Sequence, residues 1–424
     1  MSKKRAFVTG LGIVSPLGLG VSKNWDAALK GHCAIVSIQD LYPESPIYAA
    51  GVINQSDRDT ISETFPIEAK NEGEARTLFA LWAAQEALTD AMLKDTSGLK
   101  VGVSFASGLG INRLEDIVLG YKDNSFDYGH YLKRFTEIHR ESIMRNNSHR
   151  PAALIARRFG LRGGNITSTS ACASATQAIG IALRTVQRGE ADIMLAGGAD
   201  SMINPIGLVF FVLLGAASTN RDANCCRPFD RRRSGLVMGE GAAFLVIESE
   251  DSVQRKDAKV YCEIAGYGTS MDAYQVTAPE PEGTGAYYSM KRAIEDAGIS
   301  TTEIDYINAH GTSTKLNDLA ETIAIKRLFA EHAHSLKINS TKSLIGHLLA
   351  ASGAPEAVFT VLSVRDDIVH PTINLTQPDP RCDLNYTANR AIKTPIRAAL
   401  SNSFGFGGQN ATVVFRKAKE DLCV

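Results

Sequence analysis

N-I-T-S-T-S-A-C-A-S-A-T-Q-A-I-G-I-A-L-R-T-V-Q-R-G, residues 165 to 189, changes character at Cys172. Before it, Ile166 to Ser170 is a polar, β-prone run. After it, small residues give way to Ile179, Leu183 and Val186 at helical spacing, and Arg184, Arg188 and Gly189 supply a basic last turn and a glycine stop. The pattern predicts a strand, a sharp turn and a helix, with the cysteine on the turn. Free backbone N–H groups and the positive end of the helix dipole gather at such a place, so a thiolate and a sulfur nucleophile are expected. A buried, inert cysteine is the competing reading of Cys172. The small neighbours Ala171, Ala173 and Ser174 leave room for a substrate beside the sulfur.

Outward from this unit, strands and helices alternate, which argues for α/β layers. Amphipathic spacing runs from Arg76 to Leu93 and is followed by a strand, Lys100–Ala106. Strands Asp192–Ala196 and Ala243–Glu248 follow the central helix. The scheme then recurs. A helix from Tyr287 to Ala297 precedes a strand at Asp305–Asn308, and a strand at Leu336–Ser340 ends in a polar turn before a helix from Pro355 to Arg365. A glycine turn at Asn402–Gln409 leads to a strand at Ala411–Phe415. Two similar lobes are expected, residues 1–256 and 257–424, sharing one packed body without a low-complexity linker.

The 424 residues carry a formal net charge of −1, which argues against nucleic acid or a membrane surface as the main partner. No apolar run reaches spanning length, and the first residues lead into a strand and not a signal-peptide core. A cytoplasmic protein is therefore expected. Seven scattered cysteines without zinc-ribbon spacing imply neither a disulfide framework nor a metal site. Gly10 to Gly20 imitates a dinucleotide fingerprint, but Ser15 replaces its third glycine, and a tight loop is expected there. Lys133, Arg134, Arg140, Arg145, Arg150, Arg157, Arg158 and Arg162 face only Glu137 and Glu141 in charge. A solvated helical face is expected, with a docking patch for an acidic partner or a phosphate as the alternative.

Three further polar or glycine-rich turns lie at predicted strand ends, where α/β sheets place their chemistry. They are N-A-H-G-T-S-T from Asn308, S-T-K-S-L-I-G-H from Ser340 and S-N-S-F-G-F-G-G from Ser401. Two histidines, His310 and His347, each in a polar turn after a strand of a duplicated lobe, point to acid–base or electrophilic work.

Together with T-S-A-C-A-S-A, these segments resemble the β-ketoacyl-[acyl carrier protein] synthases, in their elongating (synthase I/II) branch. P-F-D-R-R-R-S-G-L-V-M-G-E-G-A from Pro228 and P-T-I-N-L from Pro371 add to the resemblance, which spans nearly the whole chain in order. It implies a thiolase-like α/β fold of two duplicated lobes with mixed five-stranded sheets and helices in layers. It implies Cys172 as the acyl-accepting nucleophile, with His310 and His347 promoting malonyl decarboxylation and holding the enolate. Lys342, paired with Glu356, would order the site and keep the histidines neutral. The N–H groups of Cys172 and Phe406 would form an oxyanion hole, with Phe406 also a gate on its glycine-flanked loop. Thr312 and Thr314 would bond the phosphopantetheine arm, Phe404 would line the substrate site, and Leu109 would limit the acyl tunnel. No resident cofactor is implied, because phosphopantetheine arrives on the carrier protein. The implied partners are an acyl carrier protein and a second subunit, identical or a Cys-less chain-length subunit, paired through Asn165–Ser170.

A biosynthetic thiolase would carry a second cysteine where Phe404 and Phe406 stand. An initiating synthase would carry asparagine at His347, and a Cys-less subunit would lack Cys172. A non-catalytic carrier-binding subunit remains the alternative function. The sequence departs from the resemblance at Lys315 and Asn317, and at the bulky run Leu208–Leu214. There, Gly215 and Ala216 supply no arginine for a carrier. These departures favour a specialised polyketide or polyene substrate as readily as a fatty-acyl one.

Overall fold

The computed structural model describes residues 3–72, 74–93, 96, 98–110, 114–138, 147–255 and 258–418. Ten strands carry the architecture: β1 (Ala6–Ser15), β2 (Val101–Ser107), β3 (Asn165–Ser168), β4 (Ile193–Asp200), β5 (Gly241–Ser249), β6 (Cys262–Met271), β7 (Ile304–Asn308), β8 (Lys337–Asn339), β9 (Ala398–Gly405) and β10 (Gln409–Arg416). They form one sheet in the order β8-β7-β9-β10-β6-β1-β5-β4-β2-β3, with the short strand Gly18–Leu19 appended to β1. Read outward from the centre, each half has the same internal order. The first strand of the half pairs antiparallel with its last, the last antiparallel with its fourth, and the fourth, second and third run parallel. The duplication expected from the sequence is therefore one of topology. The halves join where Phe7 and Val8 of β1 meet Glu263 and Cys262 of β6. The expected boundary between residues 256 and 257 lies outside the described residues.

Helices fill both faces. Helix α1 (Ala75–Asp90) covers β1 and β5, and its counterpart α3 (Thr284–Ala297) covers β6 and β10. Between the halves lie α2 (Ser174–Gln187) and α6 (Gly353–Asp366), which pack on one another. Every residue of α6 from Gly353 to Val364 is buried, so this helix has no solvent face. A helix apolar on all sides belongs in the middle of a large core. Its polar exceptions, Glu356 among them, must then find partners inside the protein.

Two local expectations are corrected. Gly10 to Ser15 is strand and not loop, and it holds no nucleotide fingerprint. A Cβ on Gly10 or Gly12 would stand 2.2 or 2.0 Å from the carbonyl oxygens of Ala87 or Ala83, so these glycines let α1 lie against β1. Likewise Asn402–Gly405 belongs to β9, and the turn is confined to the residues after it. In the basic segment Lys133, Arg157, Arg158 and Arg162 are exposed, as a solvated face requires. Arg134 pairs with Glu137, Arg150 with the buried Glu72, and Arg158 lies over the Phe65 ring. Arg140, Glu141 and Arg145 lie outside the described residues. No helix among the described residues is long and apolar enough to cross a membrane.

Candidate active site

Cys172 follows Ala171, whose φ of 48° is a left-handed conformation that costs a non-glycine residue free energy. This bend turns the chain from β3 into α2. Ser174 locks it, donating to the Ala171 carbonyl at 2.6 Å and accepting from Ser170 N at 2.8 Å. His310 follows β7, and its turn is held by the buried Glu321 of helix α4 (Lys315–Phe329). Glu321 accepts the N–H groups of His310 and Gly311, each at 2.9 Å, and Asn402 steadies it from β9. His347 follows the short helix α5 (Lys342–Ile345). Three distant segments thus meet: Cys172 Sγ and one ring nitrogen from each histidine all lie within 4.8 Å of one another.

Hydrogen bonding fixes the histidine tautomers. The Leu349 N–H donates to His347 Nδ1 at 3.1 Å, and the Ser352 hydroxyl lies 2.7 Å from the same nitrogen. A backbone N–H can only donate, so Nδ1 is an acceptor and the proton sits on Nε2. That Nε2 lies 3.1 Å from Cys172 Sγ. At His310, Nδ1 faces the Lys342 ammonium at 3.2 Å, and an ammonium also only donates, so Nε2 again holds the proton. Burial foremost, and then the Lys342 charge, hold both imidazoles well below the usual histidine range. Both are neutral at pH 7.

Lys342 is buried and paired with the equally buried Glu356, as expected. Burial pushes the carboxyls of Glu356 and Glu321 up to about 7 against the pull of those partners. Cys172 reverses an expectation. Burial pushes its thiol up to about 11, although Lys342 and the Phe406 N–H favour the thiolate. The resting sulfur is a thiol, because desolvation outweighs what Lys342 and the Phe406 N–H offer.

The sulfur and both histidines line a cavity of about 320 Å³ together with Thr312, Thr314, Phe404 and Phe406. Phe404 meets His310 edge-on, with ring centres 5.8 Å apart. The Thr312 and Thr314 hydroxyls lie 2.9 Å apart, and Thr314 also caps α4. Phe406 leads into Gly407 and Gly408, whose φ values of 83° and 80° suit glycine. Leu109 is 59 % exposed and lines a second cavity, of about 1050 Å³, with Asp200, Met202 and Ile203. Sequence reasoning missed Glu321, Asn402, Ser352 and Leu349, which orient the histidines: Ser352 and Leu349 from the residues just after His347, Glu321 from the helix after His310, and Asn402 through Glu321 from a distant strand.

Cysteine and two histidines could also hold a metal ion. To ligate through Nε2, either ring would have to move its proton to Nδ1, against the Leu349 N–H or the Lys342 ammonium. The donor set therefore fits hydrogen-bond donation into the cavity better than ligation.

Residues 3–252 match the family "Beta-ketoacyl synthase, N-terminal domain", and residues 261–376 match "Beta-ketoacyl synthase, C-terminal domain". The chain belongs to the β-ketoacyl synthase family. It is 42% identical over 419 residues to a 3-oxoacyl-[acyl-carrier-protein] synthase 2 of Staphylococcus aureus (strain N315), with 98% of each chain covered. A solved β-ketoacyl synthase from Burkholderia phymatum STM815 superposes with a TM-score of 0.87 at 32% identity, over 98% of this chain and all of that one. A type II PKS ketosynthase, bound to a hexaketide and in complex with its acyl-carrier protein, superposes at 0.86 and 31% identity with the same coverage. As a member of this family the chain is a condensing enzyme and an acyltransferase, and its fold is the thiolase-like one the motifs implied.

Proposed function

We propose that this synthase condenses a Cys172-bound acyl chain with malonyl-carrier protein, releasing carbon dioxide and β-ketoacyl-carrier protein. The observation that carries the reading is the pair of neutral Nε2–H donors converging on one buried sulfur. In the first half-reaction the Cys172 sulfur attacks the carrier thioester. The N–H groups of Cys172 and Phe406 hold the tetrahedral oxyanion, and the departing carrier sulfur takes the thiol proton. In the second, the bond from the malonyl α-carbon to its carboxylate breaks. Carbon dioxide leaves, and the electron pair becomes an enolate whose oxygen accepts from His310 and His347. The enolate carbon then attacks the acyl carbonyl, the bond to Sγ breaks, and the sulfur regains a proton from solvent.

Neutral donors suit this step, since an imidazolium would pair with the carboxylate that must be expelled. Lys342 and Glu356 keep His310 oriented and neutral, while Thr312 and Thr314 meet the incoming arm. The enzyme needs no resident cofactor, because the pantetheine belongs to its acyl carrier protein partner. Movement of Phe406 on its glycines opens the cavity toward the acyl side. The exposed edge of β3, which among the described residues pairs only with β2, suits a second subunit, and a homodimer is the simplest assembly. Fatty acid synthesis is the favoured pathway, in line with the S. aureus relative.

The test supplies hexanoyl- and malonyl-carrier protein and follows products. Equal amounts of carbon dioxide and 3-oxooctanoyl-carrier protein are expected. Hydrolysis alone, or binding without turnover, would refute the reading and favour a non-catalytic subunit.

A further inference from the structure

Three histidines are buried among the described residues, and the proposed chemistry uses two of them. The third, His370, stands directly before the P-T-I-N-L segment and is fully buried. Its ring packs edge-on against Trp25 and Phe359, with ring centres 6.3 and 5.3 Å away. Two hydrogen bonds give the ring a direction. Nδ1 lies 3.2 Å from the Pro371 carbonyl, which can only accept, so Nδ1 carries the proton. Nε2 must then accept, and the Thr341 hydroxyl, 3.1 Å away, donates to it. Thr341 Oγ1 in turn accepts from Asn308 Nδ2 at 3.0 Å, and the same amide donates to the Glu356 carbonyl at 3.2 Å. Burial holds His370 down to about 4, so the ring stays a neutral acceptor. Nothing in this chain of bonds reacts, but its neighbours do. Asn308 ends β7 two residues before His310, Thr341 precedes Lys342, and Glu356 is the partner of Lys342. The bonds therefore tie together the three elements that bring Lys342 Nζ to 3.2 Å from His310 Nδ1. The segment after His370 braces the same turn: Thr372 Oγ1 accepts the Ser340 N–H and Ser343 Oγ accepts the Ile373 N–H, each at 3.0 Å.

We propose that His370 is a positioning residue for the decarboxylation step, the terminal acceptor that gives Thr341 and Asn308 one fixed orientation and so holds His310 and Lys342 in register. The inference rests on the proposed condensation. Its physical content is directional. Without an acceptor at His370, the other acceptor that the buried Thr341 hydroxyl faces among the described residues is Asn308 Oδ1, at 3.3 Å. Taking that bond sets the amide oxygen against Thr341 and draws the amide nitrogen off the Glu356 carbonyl. Leaving the hydroxyl without any acceptor would cost the desolvation of a buried polar group. Either way β7, α5 and α6 lose a tie and can shift by fractions of an ångström, and hydrogen bonds aimed at a developing charge weaken over such distances. Acylation of Cys172 draws on the N–H groups of Cys172 and Phe406, on the turns after β3 and β9, and should not feel the change.

The test compares His370→Phe, which keeps an aromatic ring beside Trp25 and Phe359, with His370→Gln, whose amide oxygen can accept where Nε2 does. Malonyl-carrier decarboxylation, read as carbon dioxide release, should fall about tenfold in kcat in His370→Phe, the rate equivalent of one lost hydrogen bond, with KM within about twofold. Acylation of Cys172 by hexanoyl-carrier protein should stay within about twofold in the same variant. His370→Gln should return kcat to within about threefold of the parent. Thr341→Val removes the donor of the same bond and leaves the His370 packing intact, so it should show the same split even if His370→Phe does not fold. The double variant should lose about tenfold and not about a hundredfold, because both changes break one interaction. Unchanged decarboxylation in His370→Phe and Thr341→Val would overturn the proposal. So would equal losses of acylation and decarboxylation, equal losses in His370→Phe and His370→Gln, or additive losses in the double variant. No carbon dioxide from the parent would sink the condensation reading and this inference with it, a different result from equal rates in parent and variants.

Discussion

His310→Ala separates the chemistry of this site from its architecture. His310 offers a neutral Nε2–H to the cavity and makes no hydrogen bond to the sulfur among the described residues; its recorded side-chain partner is Lys342. Losing one preorganised donor to a developing oxyanion typically costs about 2.7–4 kcal/mol, or roughly 10²–10³ in rate. Malonyl-carrier decarboxylation, read as carbon dioxide release, should therefore fall by about that factor. Alkylation of Cys172 by iodoacetamide should stay within about threefold, since the groups that set the thiol are burial, Lys342 and the Phe406 N–H. His310→Gln, whose amide can still donate, should recover about a tenth of the parent rate or less, and more than the alanine variant. Undiminished decarboxylation in His310→Ala would refute the donor role. A parallel loss of alkylation would mean that the site had collapsed, and the rate loss would then say nothing for the imidazole.

Alkylation should also report the resting sulfur. With the thiol pushed up to about 11, the thiolate fraction and the rate should climb about tenfold per pH unit, without a plateau below about pH 10. A plateau near pH 8, read by mass spectrometry of the labelled protein, would mean that the helix terminus outweighs burial. Gly12→Ala would put a methyl 2.0 Å from the Ala83 oxygen and force β1 and α1 apart. A loss of at least about 1–3 kcal/mol is expected in denaturant titration, and an unchanged midpoint would contradict the packing. Arg233, fully buried, bonds Asp379 at 2.8 Å and faces the buried Asp318 at 3.6 Å. Arg233→Leu leaves both carboxylates without it and should cost about 3–5 kcal/mol, whereas a variant as stable as the parent would show the pairs to be dispensable.

The parts of this protein that were legible in its sequence are those decided by neighbours along the chain. The strand, turn and helix around Cys172 could be read from residue type and spacing, and the repeat in the second half gave the duplicated topology. The two histidine turns stood out because polar, glycine-bearing segments followed the ends of predicted strands in a duplicated lobe. What was not legible was decided across the fold. Gly10 and Gly12 looked like a loop because glycine usually marks one, but here α1 demands their lack of side chain. The Cys172 thiol was expected low because a helix terminus can be seen in sequence and a buried environment cannot. Glu321 and Ser352 escaped notice because nothing local says that a helical acid or a serine will orient an imidazole.

The most direct test is intact-protein mass spectrometry before and after malonyl-carrier protein is added. After incubation with hexanoyl-carrier protein, the account predicts one hexanoyl adduct on Cys172. That adduct should disappear on addition of malonyl-carrier protein, as carbon dioxide and the two-carbon-extended β-keto product appear, and Cys172→Ala should show neither event. An adduct on another residue, or extension by the Cys172→Ala variant, would contradict it.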